Sequence, residues 1–454
     1  MRAPHVRSPL RRLAVFAALA LAFPWALPAR ADAPAAPFAA VKALPTANGL
    51  RVSFVSDPSC PAASIATVFA AGRRHEGALV GLAEHVARRI PLASRGTAVI
   101  AERLGVSRVE VGEDTTTFVD TVPAGEIALA LWTAAERLRG AETWAGGIDG
   151  LFARPKTEAE HLRALVLSED ASTLAESGAY ARRFAAQNAV VVITGPFEED
   201  EITALIRAHL DGLGGPALPR AADETTLPEQ TSRRSAFLER PGPRRLYGGF
   251  AVPGVDAADH APLELALLVL EARVRARSGD TLGPFVARLR GRTGVDVAEL
   301  ELELGATGEA ERARNLIERE LGGLAAVGPT ALELTRARAR AAARRLDDLA
   351  TSDALAATLA RREALGLPEE PAIFAPSGES ADIARVVRAY LGPMRGTFLE
   401  PRPAPSTHTS KPPGLADEPP PPSKPTPSKV APAPSPPKSG AKPKSPGNKP
   451  GARR

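Results

Sequence analysis

Glu84 and His85 stand side by side in GLAEHVARRIP, residues 81–91, where the apolar spacing predicts a helix after a Gly-containing turn. A carboxylate and an imidazole on one helix are pieces of a zinc site. Helical zinc pairs, however, use ligands four residues apart, because only such positions share a face. Neighbours point about 100° apart on a helix. Glu84 and His85 therefore read as a surface acid and a partly buried histidine. His75, His161, His209 and His260 have no partner four residues on and read as ordinary surface or core histidines. Cys60 is the only cysteine, which excludes an internal disulfide and a Cys-based zinc site. Glu113, Asp114 and Asp120 flank a strand–turn–strand pattern. They read as solvated hairpin acids, with a cation site as the alternative. No Gly-x-Ser-x-Gly elbow, phosphate-binding Gly loop or dinucleotide fingerprint occurs.

The elements that must position these groups lie in a bounded part of the chain. MRAPHVRSPLRR is a basic start, LAVFAALALAFPWAL an apolar run, and Ala29–Ala31 a small-x-small end. Residues 1–31 thus read as a secretory signal peptide cleaved near Ala31, which makes the protein exported, periplasmic or extracellular. From residue 401 onward, 18 of the chain's 44 prolines alternate with Lys, Ser and Ala. Residues 401–454 cannot bury a core, so a disordered tail with polyproline II bias is expected. The net charge of +5 conceals an asymmetry. The leader holds five arginines and no acid, and the tail ten Lys/Arg and two acids, which leaves −8 on residues 32–400. A basic body would suggest nucleic acid; this one is acidic, so no nucleic-acid partner is expected. The basic tail can contact an anionic surface.

Between these ends the chain is duplicated. TVFAAGRRHEGALVGLAEHVARRI (67–90) and GGFAVPGVDAADHAPLELALLVLEARV (248–274) both read strand, loop, helix, with Phe69 and Phe250 at matching strand positions. Residues 108–138 and 294–324 each read as two alternating stretches followed by an acid-started helix. NG at 48–49 marks a turn, and NAVVVITGPFEEDEITALIRAHL reads as a buried strand, a turn and a helix with acids at its positive end. The fold class is α+β. Two homologous domains are expected, 32–215 and 235–400, each an antiparallel-rich sheet with helices packed on one face. A Pro/Gly-rich linker at 216–234 joins them.

The order NGLRV, SIATVFAAGRRHE, the GLA helix, TVPAGEIALALWTAAERLRG and NAVVVITGPF resembles the insulinase/pitrilysin family of zinc peptidases, most of all its processing-peptidase branch. The resemblance covers about residues 40–400. It implies homologous α+β domains and a His-x-x-Glu-His motif on the helix after GLA, here 79–90. The two His bind zinc, the Glu activates the bound water, and a distant Glu is the third ligand. Aligned on GLA, the first His position is Glu84, the base is Ala87 and the second His is Arg88. Alanine takes no proton, and a guanidinium offers no lone pair. Sliding the register to keep Glu84–His85 puts Gly81 at the first His position. The third-ligand interval is short, leaving Glu158 or Glu160 as candidates. RLRGRTGVDVAEL (288–300) resembles the family's Leu-Arg-x-x-x-Gly-Leu-Ala-Tyr stretch, with Val297 at the Tyr position.

What this implies is a non-catalytic, exported homologue with no catalytic or metal residues and no cofactor. It would act as partner to an active zinc-peptidase subunit or bind an extended peptide. Two alternatives stand beside it. One is an active zinc endopeptidase using Glu84, His85 and Glu158 or Glu160. The other is an envelope scaffold tethered by its tail. The Arg-rich stretch 333–350 reads as a solvated helix with local ion pairs, or as a surface for an acidic partner.

Overall fold

The computed structural model describes residues 41–77, 79–145, 157–167, 177–214, 226–238, 244–279, 282–305, 310–367 and 378–401. The leader, residues 215–225 of the linker region and residues 402–454 of the tail lie outside the described residues.

The first half runs β1 (Lys42–Pro45), β2 (Arg51–Ser56), β3 (Ala62–Phe69), α1 (Leu82–Ala93), α2 (Arg95–Glu102), β4 (Val106–Val111), β5 (Thr116–Pro123), α3 (Ile127–Ala145), α4 (Glu158–Leu167), α5 (Ser177–Arg182), β6 (Ala189–Gly195) and α6 (Glu199–Leu210). Its strands form one sheet in the order β1-β2-β6-β3-β5-β4, antiparallel except for β2 against β6. The NG turn works as read: Gly49 takes φ 76, a left-handed backbone that glycine tolerates, and β1 and β2 pair across it.

The second half runs β7 (Arg234–Phe237), β8 (Arg245–Pro253), α7 (His260–Arg277), β9 (Leu282–Leu289), β10 (Val295–Leu304), α8 (Ala310–Val327), α9 (Ala331–Asp347), α10 (Ser352–Leu365), α11 (Ser380–Tyr390) and β11 (Thr397–Glu400). Its sheet order is β7-β11-β8-β10-β9. Residues 295–304, expected as two alternating stretches, form the single strand β10. Its hairpin partner is β9, upstream of the expected pair. The matched phenylalanines do equivalent work: Phe69 meets Phe118 edge-on and Phe250 meets Phe398 edge-on.

Each sheet carries its helical layer as expected. Val86 and Ile90 of α1, Leu131 and Leu138 of α3 and Ile202 and Ile206 of α6 share a core with Val191 and Ile193 of β6. The equivalent second layer uses Leu270 of α7, Ile317 of α8 and Val387 of α11. The opposite sheet faces hold an addition that reading half by half does not reveal. β6 is apolar on both sides, and its alternate residues Val190 and Val192 pack on α10, a helix of the second half. Its Ala356, Ala357, Ala360 and Ala364 are small enough to bring it close to the sheet. In return, Leu162 and Val166 of α4 pack on Val297 and Leu399 of the second sheet. The close fit is set by Gly249, where a Cβ would fall 2.7 Å from Val166. The halves therefore exchange one helix each.

The acids expected to be solvated around the hairpin are buried and paired instead. Asp120 and Arg137 are each 1% exposed in their side chains. Arg137 donates to both Asp120 oxygens, at 2.8 and 3.2 Å, and Ser107 Oγ adds a third bond at 2.7 Å. Arg137 also lies 5.0 Å from the centre of the Phe118 ring. A carboxylate in that position needs a cation, because an unpaired buried charge costs several kcal/mol.

The Arg-rich helix α9 also departs from its reading. Its ion pairs are not local: Arg340 reaches Glu271 and Arg345 reaches Glu264, both on α7, at 2.9 and 2.8 Å. Thr330 and Glu333 close its start with a capping box.

Candidate functional site

The helix read as 79–90 spans Leu82–Ala93. Gly81 precedes it at φ 95, so the helical backbone cannot begin earlier. The orphan amides of its first turn are met from upstream. Glu76, 3% exposed, accepts from Gly81 N at 2.9 Å and from Ala83 N at 2.8 Å. Burial pushes the Glu76 carboxyl up to about 7; the two amides act against that rise and Glu84 and Glu160 add to it.

On this helix Glu84 Oε1 accepts from Arg73 Nε at 2.6 Å. Ala87 is buried and Arg88 exposed. His85 is half-buried, and partial burial with Arg89 and Arg88 holds its imidazole below the usual range. The aligned positions thus present one carboxylate already engaged by a guanidinium, one methyl group and one outward cation. Among the described residues, no group of three or more His, Cys, Asp or Glu is placed to hold a metal ion. His161 lies on α4, His209 at the end of α6 and His260 at the start of α7. Burial takes His260 down to about 4 and, with Arg139, also lowers His209.

Glu158 and Glu160 open α4, the helix that crosses to the second sheet. Glu160 accepts from Thr157 N at 2.8 Å and so caps its own helix. Val297 is fully buried in β10, sealed by Leu162 and Val166 of that helix.

What the structure brings together around the α1 entry is a junction between the halves. The turn at Arg73–His75 is held on the β4–β5 turn by Arg73 N to Gly112 O and Arg74 N to Glu113 O. No side chain fits at Gly72, where a Cβ would lie 2.3 Å from Glu113 O. Asp114 Oδ2 accepts from Thr293 N at 2.7 Å and Thr293 Oγ1 at 3.1 Å. Arg74 Nη1 donates to Asp114 Oδ1 at 2.9 Å and to Thr293 O at 3.2 Å. Arg163 of α4 pairs with Glu113. His75 Nδ1 accepts from Gly72 N at 3.0 Å. Desolvation, with Arg183, Arg74 and Arg292 nearby, holds that imidazole well below its ordinary range. Asp296 accepts from Gly291 N and Val297 N, and burial pushes it up to about 7. Glu76, Arg73, Arg74 and Thr293 were not singled out from the sequence. An acid five residues before GLA was the one available signal for a helix cap.

Fold and site define a duplicated α+β body in which the positions aligned on GLA hold Glu84, Ala87 and Arg88. Residues 178–341 match the family described as peptidase M16 inactive domain. The match over that stretch and the fold neighbours are consistent with the resemblance to the insulinase-type (M16) peptidases. A Helicobacter pylori protease is similar in fold at a TM-score of 0.66 and 14% identity, over 81% of this chain and 100% of that one. A peptidase M16 inactive domain from Pseudomonas fluorescens gives 0.60 and 17%, over 80% and 98%. The first half of the Escherichia coli periplasmic protease PqqL gives 0.59 and 15%, over 81% and 93%. Against whole PqqL the match covers 80% of this chain but 47% of that one. No curated protein matches the chain.

Proposed function

We propose that this protein is an exported, non-catalytic M16-type unit. It works beside a second unit of the same fold, an active zinc peptidase, and helps hold an extended peptide. The observation that carries the pairing is the coverage: the chain fills 93% of the first half of PqqL and 47% of the whole. A body of this size corresponds to one of two units in that periplasmic protease, and the other would come from a partner. The leader and the neighbour's periplasmic setting support export.

Zinc does not fit the aligned positions. Arg73 occupies Glu84, Ala87 cannot act as base, and Arg88 brings a permanent cation. The purified protein is expected to hold no stoichiometric zinc.

An extended peptide would add to a sheet edge. Of the four outermost strands, β1 and β7 have four residues each. β9 carries exposed Pro284, which lacks an amide, and its Phe285 carbonyl accepts from Arg275. β4 has six residues and no proline, and Val106 at its start is 65% exposed. β4 is the edge that suits strand addition.

The test is co-purification with an M16 zinc peptidase of the same genome that keeps His-x-x-Glu-His. A stable one-to-one complex with raised peptide cleavage is expected. One tight zinc per chain, with chelator-sensitive cleavage by this protein alone that is lost in His85→Ala, would overturn the reading in favour of an active peptidase. Normal pairing with lost localisation after deletion of 401–454 would assign tethering to the tail.

A further inference from the structure

A second feature lies in the second half, on elements the junction does not use. A recess of about 420 Å³ opens between the end of α7, the start of β9 and the first turns of α8. Arg277, Arg312, Arg319 and Asn315 line it together with Leu282 and Leu316. We propose that this recess binds a small polyanion bearing adjacent phosphate or carboxylate groups.

Arg312, Asn315 and Arg319 sit at i, i+3 and i+7 of α8 and so share one face of the helix. Arg277 enters from α7 and is fixed by Glu320, whose carboxylate also lies 3.6 Å from Arg319. Two of the three cations are thus paired with one buried acid. The side chains of Arg312 and Asn315 make no hydrogen bond or ion pair among the described residues. Nearby arginines differ: Arg314 pairs with Glu400, Arg273 with Glu333 and Arg233 with Glu318. Glu320 offsets part of the charge of Arg277 and Arg319, so Arg312 is the cation left for an anion seated in the recess to meet. The planar fork of guanidinium matches phosphate and carboxylate oxygens in pairs. The recess falls within the roughly 300–1,000 Å³ of small-molecule sites. Glu311, the carboxylate of the lining among the described residues, weakens the positive field and gives the site a sign test.

The experiment is isothermal titration of the mature full chain with inorganic pyrophosphate and, separately, with citrate. Ionic strength is held constant with sodium chloride. One saturable site is expected. A stronger response to pyrophosphate assigns a phosphate ligand, and a stronger response to citrate a carboxylate. Arg312→Ala with Arg319→Ala should weaken binding about tenfold or more, and Glu311→Gln should tighten it roughly threefold. Arg336→Ala, an exposed arginine on α9, should change nothing. Circular dichroism checks that each variant folds. Absence of saturable binding by either probe overturns the proposal. So does an equal loss in Arg336→Ala, or no loss in the folded double variant.

Discussion

Replacing Glu76 by Gln tests whether α1 is held at its start by a buried carboxylate at an electrostatic cost. Glu76 accepts two amide protons at the start of α1 and is 3% exposed. Its carboxyl rises from 4.5 to about 7 in the folded protein, chiefly through burial. Between those values the folded state keeps a proton that the unfolded chain has released. Its contribution is therefore fully present below the lower value and is lost as pH rises through the upper one. A rise of that size, at ~1.4 kcal/mol per pH unit, amounts to ~3 kcal/mol. Glutamine keeps one acceptor and never ionises. Asp296, also raised to about 7, is carried by both proteins and drops out of the difference. Urea unfolding followed by circular dichroism gives both stabilities from about pH 5 to about pH 8. At the acid end the wild type should equal or exceed Glu76→Gln. At the basic end its relative stability should have fallen by ~2–3 kcal/mol. A difference that stays flat across this range would refute the claim that Glu76 caps the helix at an electrostatic cost.

Three further outcomes follow from the packing. Asp120→Ala leaves Arg137 charged and buried without its partner, so ~3–5 kcal/mol of stability should be lost, measured by urea unfolding. Val297→Tyr restores the family's tyrosine in type only. The side chain would press on Leu162 and Val166, costing ~1–3 kcal/mol and lowering Tm, with no peptide cleavage gained. Residues 41–214 and 226–401 made separately should each expose an apolar sheet face and aggregate, whereas co-expression should restore a soluble complex, read by size-exclusion chromatography.

Much of the architecture was legible because it is carried by local signals. Period-2 and period-3.6 apolar patterns gave β6, α6, α3 and most of the repeated strand–helix units. Asn48–Gly49 gave the first turn. The β9–β10 hairpin was misread because β9 holds Gly283 and Pro284, which interrupt the alternation that marks a strand. The boundary of α1 shifted because a left-handed glycine, not the apolar pattern, decides where a helix can begin.

By itself the sequence determined the duplication and the acidic body, and it showed which residues follow GLA, since each depends on residue type and order alone. The tertiary structure decided which side chains those positions meet. Glu84 sits on Arg73, Asp114 reaches across to Thr293, and Asp120 is sealed with Arg137. Each pair joins residues far apart in sequence or on different elements, and burial gives each its strength. The exchange of α4 and α10 belongs to the same class. An alanine-rich or leucine-bearing helix shows that it has an apolar face, but only the fold shows which sheet that face covers.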